Sequence, residues 1–182
     1  MLAEFGADLL DPILTLALGL MIVRVLLQLS HADFYNPISQ GVVRITDAVL
    51  KPLRAVLPKT GAIDLAGLIG AFAVALIYVL VFRTLVGAPW PNPIFLVTVV
   101  LANVARTTLY LYWGCLMVIF VVSWVAPSSH HPAVVLTRQL SEPILAPVRS
   151  VIPPVGGLDF SMLVVFIVIN AIIRALSHVP PF

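Results

Sequence analysis

Charge is scarce in this chain. Only 10% of its 182 residues are Asp, Glu, Lys or Arg, against about 25% in soluble domains. The ten basic and eight acidic residues leave a net charge of +2. That is no basic patch of the size nucleic acid needs, so no nucleic-acid partner is expected. Cysteine is nearly absent. Cys115 stands alone in an apolar run, which excludes a disulfide framework and a cysteine metal cluster. No Lys or Arg precedes the first apolar run. The opening "MLAEFGADLLDP" carries Glu4, Asp8 and Asp11 instead, which argues against a cleavable signal peptide. Strand-like alternation is missing too, which excludes a membrane β-barrel.

The chemistry-bearing patterns are equally thin. There is no glycine-rich phosphate loop, no His-Glu-x-x-His and no carboxylate pair at the centre of an apolar run. Ser128-Ser129-His130-His131 follows Pro127 as a polar turn. Adjacent histidines point in different directions, so they make a poor metal site. No catalytic residue, metal or cofactor is expected, and the chain is not expected to be an enzyme.

What the chain has is apolar length. It is 61% hydrophobic, with mean hydropathy +1.11, so lipid is the expected solvent. Crossing the roughly 30 Å hydrocarbon core takes about 20 helical residues. Four segments qualify: about 12–29, about 64–86, one ending near Trp124, and about 159–176. Backbone groups in lipid must bond internally, so these are helices and the fold class is all-α.

Shifting the sequence by 95 residues organises the rest. "KPLRAVLPKTGAID" (Lys51–Asp64) then falls on "APVRSVIPPVGGLD" (Ala146–Asp159). Pro37 meets Pro132, Pro52 meets Pro147, Arg54 meets Arg149, Pro58 meets Pro153, Gly61 meets Gly156 and Asp64 meets Asp159. Thr46–Asp47 meets Ser141–Glu142. Two repeats follow, residues 7–86 and 102–181. The run Pro93–Val125 would be about 50 Å long as one helix, too long for one crossing. The shift places the third span at about 107–124, leaving 93–103 as an extra interfacial or protruding segment.

Two spans per repeat bring both copies in from one side, a parallel-repeat arrangement. The segments after spans one and three hold Arg44, Lys51, Arg54, Lys59, Arg138 and Arg149, and the N-terminal tail holds no Lys or Arg. Positive-inside bias therefore puts both repeated segments in the cytoplasm and both termini in the periplasm.

The segment between the spans has a pattern of its own. Asn36–Pro37 is a helix start, with Asn able to cap and Pro suited to the first position. Ile38, Val42, Ile45, Val49 and Leu53 recur every three or four residues, with Ser39, Gln40, Arg44, Asp47, Lys51 and Arg54 between them. This is an amphipathic helix over about 37–51, repeated at about 132–146, expected to lie on the inner leaflet. Pro52 and Pro147 should kink or stop these helices. Pro58 with Gly61, and Pro153 with Gly156, then turn the chain. Asp64 and Asp159 cap the next spans, where the helix dipole favours an anion. Each corner arginine has two available partners, the aspartate or a lipid phosphate.

These residues resemble the YggT family of bacterial integral membrane proteins, related to the YlmG proteins of Gram-positive bacteria, cyanobacteria and plastids. The resemblance rests on Asn36–Pro37, Pro52/Arg54/Pro58 and Gly61/Asp64/Ala66, then on Pro147/Arg149/Pro153 and Gly156/Asp159/Ser161. It covers both repeats, and the second departs at His131, where the first has Asn36. It implies a multi-pass protein of the bacterial inner membrane or of plastid membranes. It also implies links to osmotic or cation stress, to division and nucleoid distribution, or to cytochrome assembly. It brings no enzymatic activity and no catalytic residues.

Three roles compete for the charged residues. Arg54, Asp64, Arg149 and Asp159 can simply build the corners. Arg54, Arg149, Lys51, Arg44 and Arg138 can bind lipid phosphates or a membrane-protein partner. Arg24, Gln28 and Asn170 are polar residues inside spans, where charge is costly. Arg24 can snorkel or pair across the bundle, and the three together would outline a polar seam if they faced one another. Gly67/Gly70 and Ala71/Ala75 give a small-residue face for close helix packing within the bundle or between copies. The expected function is a non-enzymatic membrane organiser or assembly factor, with a link to envelope or osmotic stress. The alternative is a small oligomeric ion or osmolyte transporter.

Overall fold

The computed structural model describes residues 2–57, 64–152 and 159–182. Six helices follow one another: α1 Leu2–Leu29, α2 Pro37–Val56, α3 Leu65–Leu85, α4 Pro93–Val125, α5 Pro132–Val151 and α6 Phe160–Leu176. No strand occurs among the described residues. Three helices are long and apolar enough to cross a membrane: α1 from Phe5, α3 and α4. The fourth expected span, α6, is apolar but only 17 residues long. This apolar, all-helical build marks a membrane protein.

Two expected boundaries move. The first span was placed from Pro12, yet α1 begins at Leu2 and runs through that proline. Pro12 removes one backbone bond, to the carbonyl of Asp8, but both residues lie on an exposed, acidic stretch where water can take the bond's place. Asp11 is held there by the Tyr78 hydroxyl of α3, which donates to its Oδ1 at 2.8 Å. Of the two forms expected for 93–103, the separate interfacial helix does not occur and the extension does. It is the beginning of the unbroken 33-residue α4. No proline interrupts the run after Pro93, and Asn92 caps it by accepting from Phe95 N at 2.7 Å.

The prolines act differently from the expectation as well. Pro52 lies inside α2, and Pro143 and Pro147 lie inside α5. Each helix runs on to Val56 or Val151, and Leu57 N still donates to Leu53 O at 3.0 Å. Ala48, whose carbonyl Pro52 leaves without its helical partner, is exposed. The stop comes one turn later. Leu57 is extended at φ −88°, ψ 142°, and Ile152 sits at φ −120°, ψ 87°. Both precede a proline in the sequence, Pro58 and Pro153, and a residue before proline is driven out of the helical region. Pro58, Gly61, Pro153 and Gly156 themselves lie outside the described residues.

The core is built where α1, α3 and α4 meet, with α2 across it. Leu18, Met21, Ile22 and Leu26 of α1 pack with Ala66, Ala71, Ala75 and Val79 of α3. Gly67 and Gly70 let the helices close. A Cβ on Gly67 would stand 3.1 Å from Val25 Cγ2, and one on Gly70 only 2.8 Å from Leu50 Cδ2. A smaller cluster holds Leu116, Leu145, Val165 and Ile169, joining α4, α5 and α6. Gly87, at φ 64°, ends α3 by a Schellman closure in which Ala88 N donates to Arg83 O at 3.0 Å. His31, at φ 48°, ends α1 the same way, with Ala32 N donating to Leu27 O at 2.9 Å.

Overpacking the α1–α2–α3 contact should therefore cost stability. Gly70→Val is expected to lower unfolding stability in detergent by about 1–3 kcal/mol. Gly19 has open space around it. Gly19→Ala is expected to leave stability unchanged or raise it by about 0.5–1 kcal/mol, since it removes glycine's helix penalty. Thermal melts of the two variants beside the parent check this pair.

Candidate functional site

Helical geometry brings the corner charges together. Arg54 and Asp47 are seven residues apart on α2, two turns along one face, and Asp64 starts the next helix. The Arg54 guanidinium bridges the two helices. Nη1 donates to Asp47 Oδ1 at 3.1 Å and Nη2 to Asp64 Oδ2 at 2.5 Å. Arg149 repeats this on α5. Its Nη1 donates to Glu142 Oε2 at 2.9 Å and its Nε to Asp159 Oδ2 at 2.8 Å. One cation thus bridges an acid on the preceding helix and the aspartate that opens the following one. Asp47 and Glu142 were visible in the sequence only as a register match. A seven-residue spacing to the arginine is the signal that would have assigned them.

The two corners are capped differently. Asp159 Oδ1 accepts from Ser161 N at 3.0 Å, and Ser161 Oγ donates to Ile152 O at 3.0 Å, stitching α6 to the end of α5. Asp64 makes no side-chain cap bond, and Ala66 stands where Ser161 would reach back. Its carboxylate turns chiefly to Arg54, with the Gly67 N–H also lowering its pKa.

Electrostatics follows the geometry. Burial pushes the Asp64 carboxyl up, but the Arg54 hydrogen bond and charge, with the Arg24 charge, hold it below the ordinary aspartate value. In Asp159, burial is likewise outweighed by Arg149 and the Ser161 N–H. The Asp64 bond, against the cost of burial, raises Arg54 in turn.

The starts of α2 and α5 are tied directly. Asn36 Oδ1 accepts from Ile38 N at 2.9 Å, while its Nδ2 donates to Pro132 O at 2.8 Å. Asp33 N donates to Gln139 Oε1 at 3.1 Å. His131, in the asparagine's place, still caps: its Nδ1 accepts from Ala133 N at 3.3 Å. The bridging role of Asn36 was not legible in one sequence, because its second partner lies 96 residues away.

The remaining candidates separate. Arg44, Lys51 and Arg138 are exposed, and Arg138 Nη2 donates to Pro127 O at 3.1 Å. Arg24 is only 8% exposed, with its guanidinium carbon 5.5 Å from the centroid of the Phe34 ring. Its Nε and the Gln28 Oε1 are buried without hydrogen-bond partners among the described residues. Asn170 lies exposed on α6, its Nδ2 donating to Phe166 O at 2.7 Å. Arg24 sits instead beneath Phe34, beside the first corner, so the three do not form one seam. Asn103 and Arg106 hold the C-terminal tail: Asn103 Nδ2 donates to Pro181 O at 2.5 Å, and Arg106 Nη2 to Val179 O at 2.8 Å. Among the described residues no group of three His, Cys, Asp or Glu side chains could hold a metal.

The corners define their own test. A double-mutant cycle on Arg54 and Asp64 is expected to give a coupling of about 1 kcal/mol, the upper end for exposed pairs, because the Asp64 side chain is only 11% exposed. Acid should act late. Both aspartates are depressed, so the stability they lend is fully present above the ordinary value of 3.8 and is lost only as pH falls below it. Melting temperature against pH is expected to stay level to about pH 4 and then fall. Asp64→Asn with Asp159→Asn should blunt that fall; an unchanged acid limb would place its origin elsewhere.

The comparisons agree with this build. The CCB3/YggT family matches residues 3–85 and again 98–179. The two stretches begin 95 residues apart. An uncharacterized protein of Pseudomonas aeruginosa is 36% identical over 160 residues, covering 87% of this chain and 81% of that protein. An uncharacterized protein in the proC 3' region of Vibrio alginolyticus is 36% identical over 161 residues, covering 87% and 86%. The uncharacterized YggT of Escherichia coli K12 is 32% identical over 171 residues, covering 94% and 88%. No solved structure matches. With nearly the whole chain inside the two matched stretches, this protein belongs to the CCB3/YggT family.

Proposed function

We propose that this chain is a non-enzymatic organiser of the bacterial inner membrane that presents α2 and α5 at the cytoplasmic leaflet to lipid and to a membrane-protein partner. In this reading α1, α3, α4 and α6 cross the membrane as two parallel repeats. The 17 residues of α6 rise about 26 Å, which modest local thinning accommodates. The excess of Lys and Arg between the paired spans favours the cytoplasmic side.

One observation carries the reading. The apolar side of α2 is divided in two. Ser39, Val42, Thr46 and Leu50 are buried against the bundle, while Ile38, Ile45 and Val49 stay exposed, Ile45 by 59%. Arg44 and Lys51 project on the polar side. A helix with one packed edge, one bare apolar edge and one basic edge fits a headgroup-level position. The bare edge is the surface offered to lipid and partner. Transport has thinner support, because Arg24 and Gln28 lie near the inner end of α1 and Asn170 lies apart from them; solute flux in liposomes that Arg24→Ala abolishes would favour it.

Two measurements test the proposal. With Cys115 replaced by serine, single cysteines at Arg44 and at Arg138 are expected to resist an impermeant maleimide in intact cells and to react after permeabilisation. Labelling of either site from outside would reverse the assignment. A photoreactive residue at Ile45 or Val49 is expected to capture a protein partner in cells, while one at buried Thr46 captures none. Equal yields at Ile45 and Thr46 would remove the case for a presented edge.

A further inference from the structure

The two halves pack their paired helices differently, and the difference leaves a space. On α3, Gly67, Gly70 and Ala71 let α1 approach. The positions 95 residues on are Met162, Val165 and Phe166 of α6. On α4, Phe120, Ser123 and Trp124 stand where α1 has Val25, Gln28 and Leu29. On α6 all three residues are larger than the ones they replace, and on α4 Phe120 and Trp124 are. Between α4 and α6 runs a cleft of about 450 Å³, with walls that include Leu116, Phe120, Met162, Leu163 and Phe166. Trp124, at the end of α4, and Asp159, at the start of α6, line it at the same end. From Trp124 to Leu116 it reaches about 12 Å along α4.

Asp159 is the charged residue of its lining, and ion pairs lead from it to Arg149 and on to Glu142 outside the cleft. Asp159 is already held by Arg149 Nε and Ser161 N. Arg149 Nη2 makes no hydrogen bond among the described residues. Glu142 uses only Oε2, and its side chain is 57% exposed against 25% for Asp47 in the first corner. One cation therefore stands against two carboxylates. An anionic lipid would add charge to a site already net negative. A headgroup with both phosphate and primary ammonium adds none, and it can place each charge opposite its complement.

We propose that this cleft binds one phospholipid of the phosphatidylethanolamine class, its acyl chain between α4 and α6, its phosphate on Arg149 and its ammonium on Glu142. The site rests on the membrane placement of the corners given above. Trp124 reports on it. A protein with Trp90→Phe and Trp113→Phe keeps Trp124 as its sole tryptophan. It would be reconstituted in phosphatidylcholine vesicles with increasing fractions of brominated-chain phosphatidylethanolamine, phosphatidylglycerol or phosphatidylcholine. The ethanolamine lipid is expected to quench Trp124 at roughly two- to five-fold lower mole fraction than the others, the value of about one exposed ion pair. Glu142→Gln should abolish that preference, and Ser123→Phe, which fills the cleft, should abolish it too. Equal quenching by all three lipids, or a preference for phosphatidylglycerol, would overturn the proposal. So would quench-resistant Trp124 shielded in a crosslinkable dimer, which would give the cleft to a second copy. No quenching by any lipid without such a dimer would overturn the membrane placement itself. Native mass spectrometry of the unmutated tryptophan set is the second measure: a retained ethanolamine lipid, lost in Glu142→Gln, supports the site, and its absence counts against it.

Discussion

A chain that leaves one helix for another at a sharp angle must turn where its backbone can still find partners. The turn also needs something to hold its angle, because prolines and glycines break helices without orienting them. Here a guanidinium supplies the hold. Arg54 and Arg149 each grip an acid two turns back on their own helix and the aspartate that opens the next. Three fixed points define the angle between two helices better than any loop conformation could. Arginine suits the task because its planar fork donates in several directions at once, which the ammonium of lysine does less well.

The two halves use this device to different ends. In the first, Arg24 adds a second cation under Phe34, small residues on α3 draw α1 close, and Asp64 bonds chiefly to Arg54. In the second, Ser161 completes the cap, Glu142 is the longer and more exposed acid, and a cleft lies between α4 and α6. The shared corner thus supports two unlike interiors, one closed by small residues and one holding a cleft.

Much of this was legible because helix breakers are local signals. Proline, glycine and capping residues act over a few positions, so the order of elements and the duplicated corner could be read directly. Two kinds of feature could not. One was which local rule wins: Pro52 breaks helices in general, yet Leu57, forced out of the helical region by Pro58, ends this one. The other was direction in three dimensions. Periodicity located an apolar side on α2 but not which part of it the bundle would cover, and the packed stripe includes Ser39 and Thr46, which no hydrophobic pattern selects. The tie from Asn36 to Pro132 is invisible for the same reason.

The overhang of α4 shows that a helix and its lipid-crossing part need not begin together. A first span begun at Pro12 makes 93–103 look like an insertion. With α1 beginning at Leu2, the 95-residue shift carries its start to residue 97, close to the start of α4 at Pro93. The family match agrees, beginning at residues 3 and 98. The overhang is then a shared property of the leading helix in each half. Counted back from Val125, the roughly 20 residues that would suffice to cross the hydrocarbon reach Arg106. There Asn103 and Arg106 take up tail carbonyls, and Phe182 stacks on Phe82 at 5.3 Å. Polar side chains that satisfy free carbonyls at this level are what a helix leaving lipid requires. The opening turns of α1 and α4 would then stand beyond the bilayer, anchored at their base by the C-terminal tail.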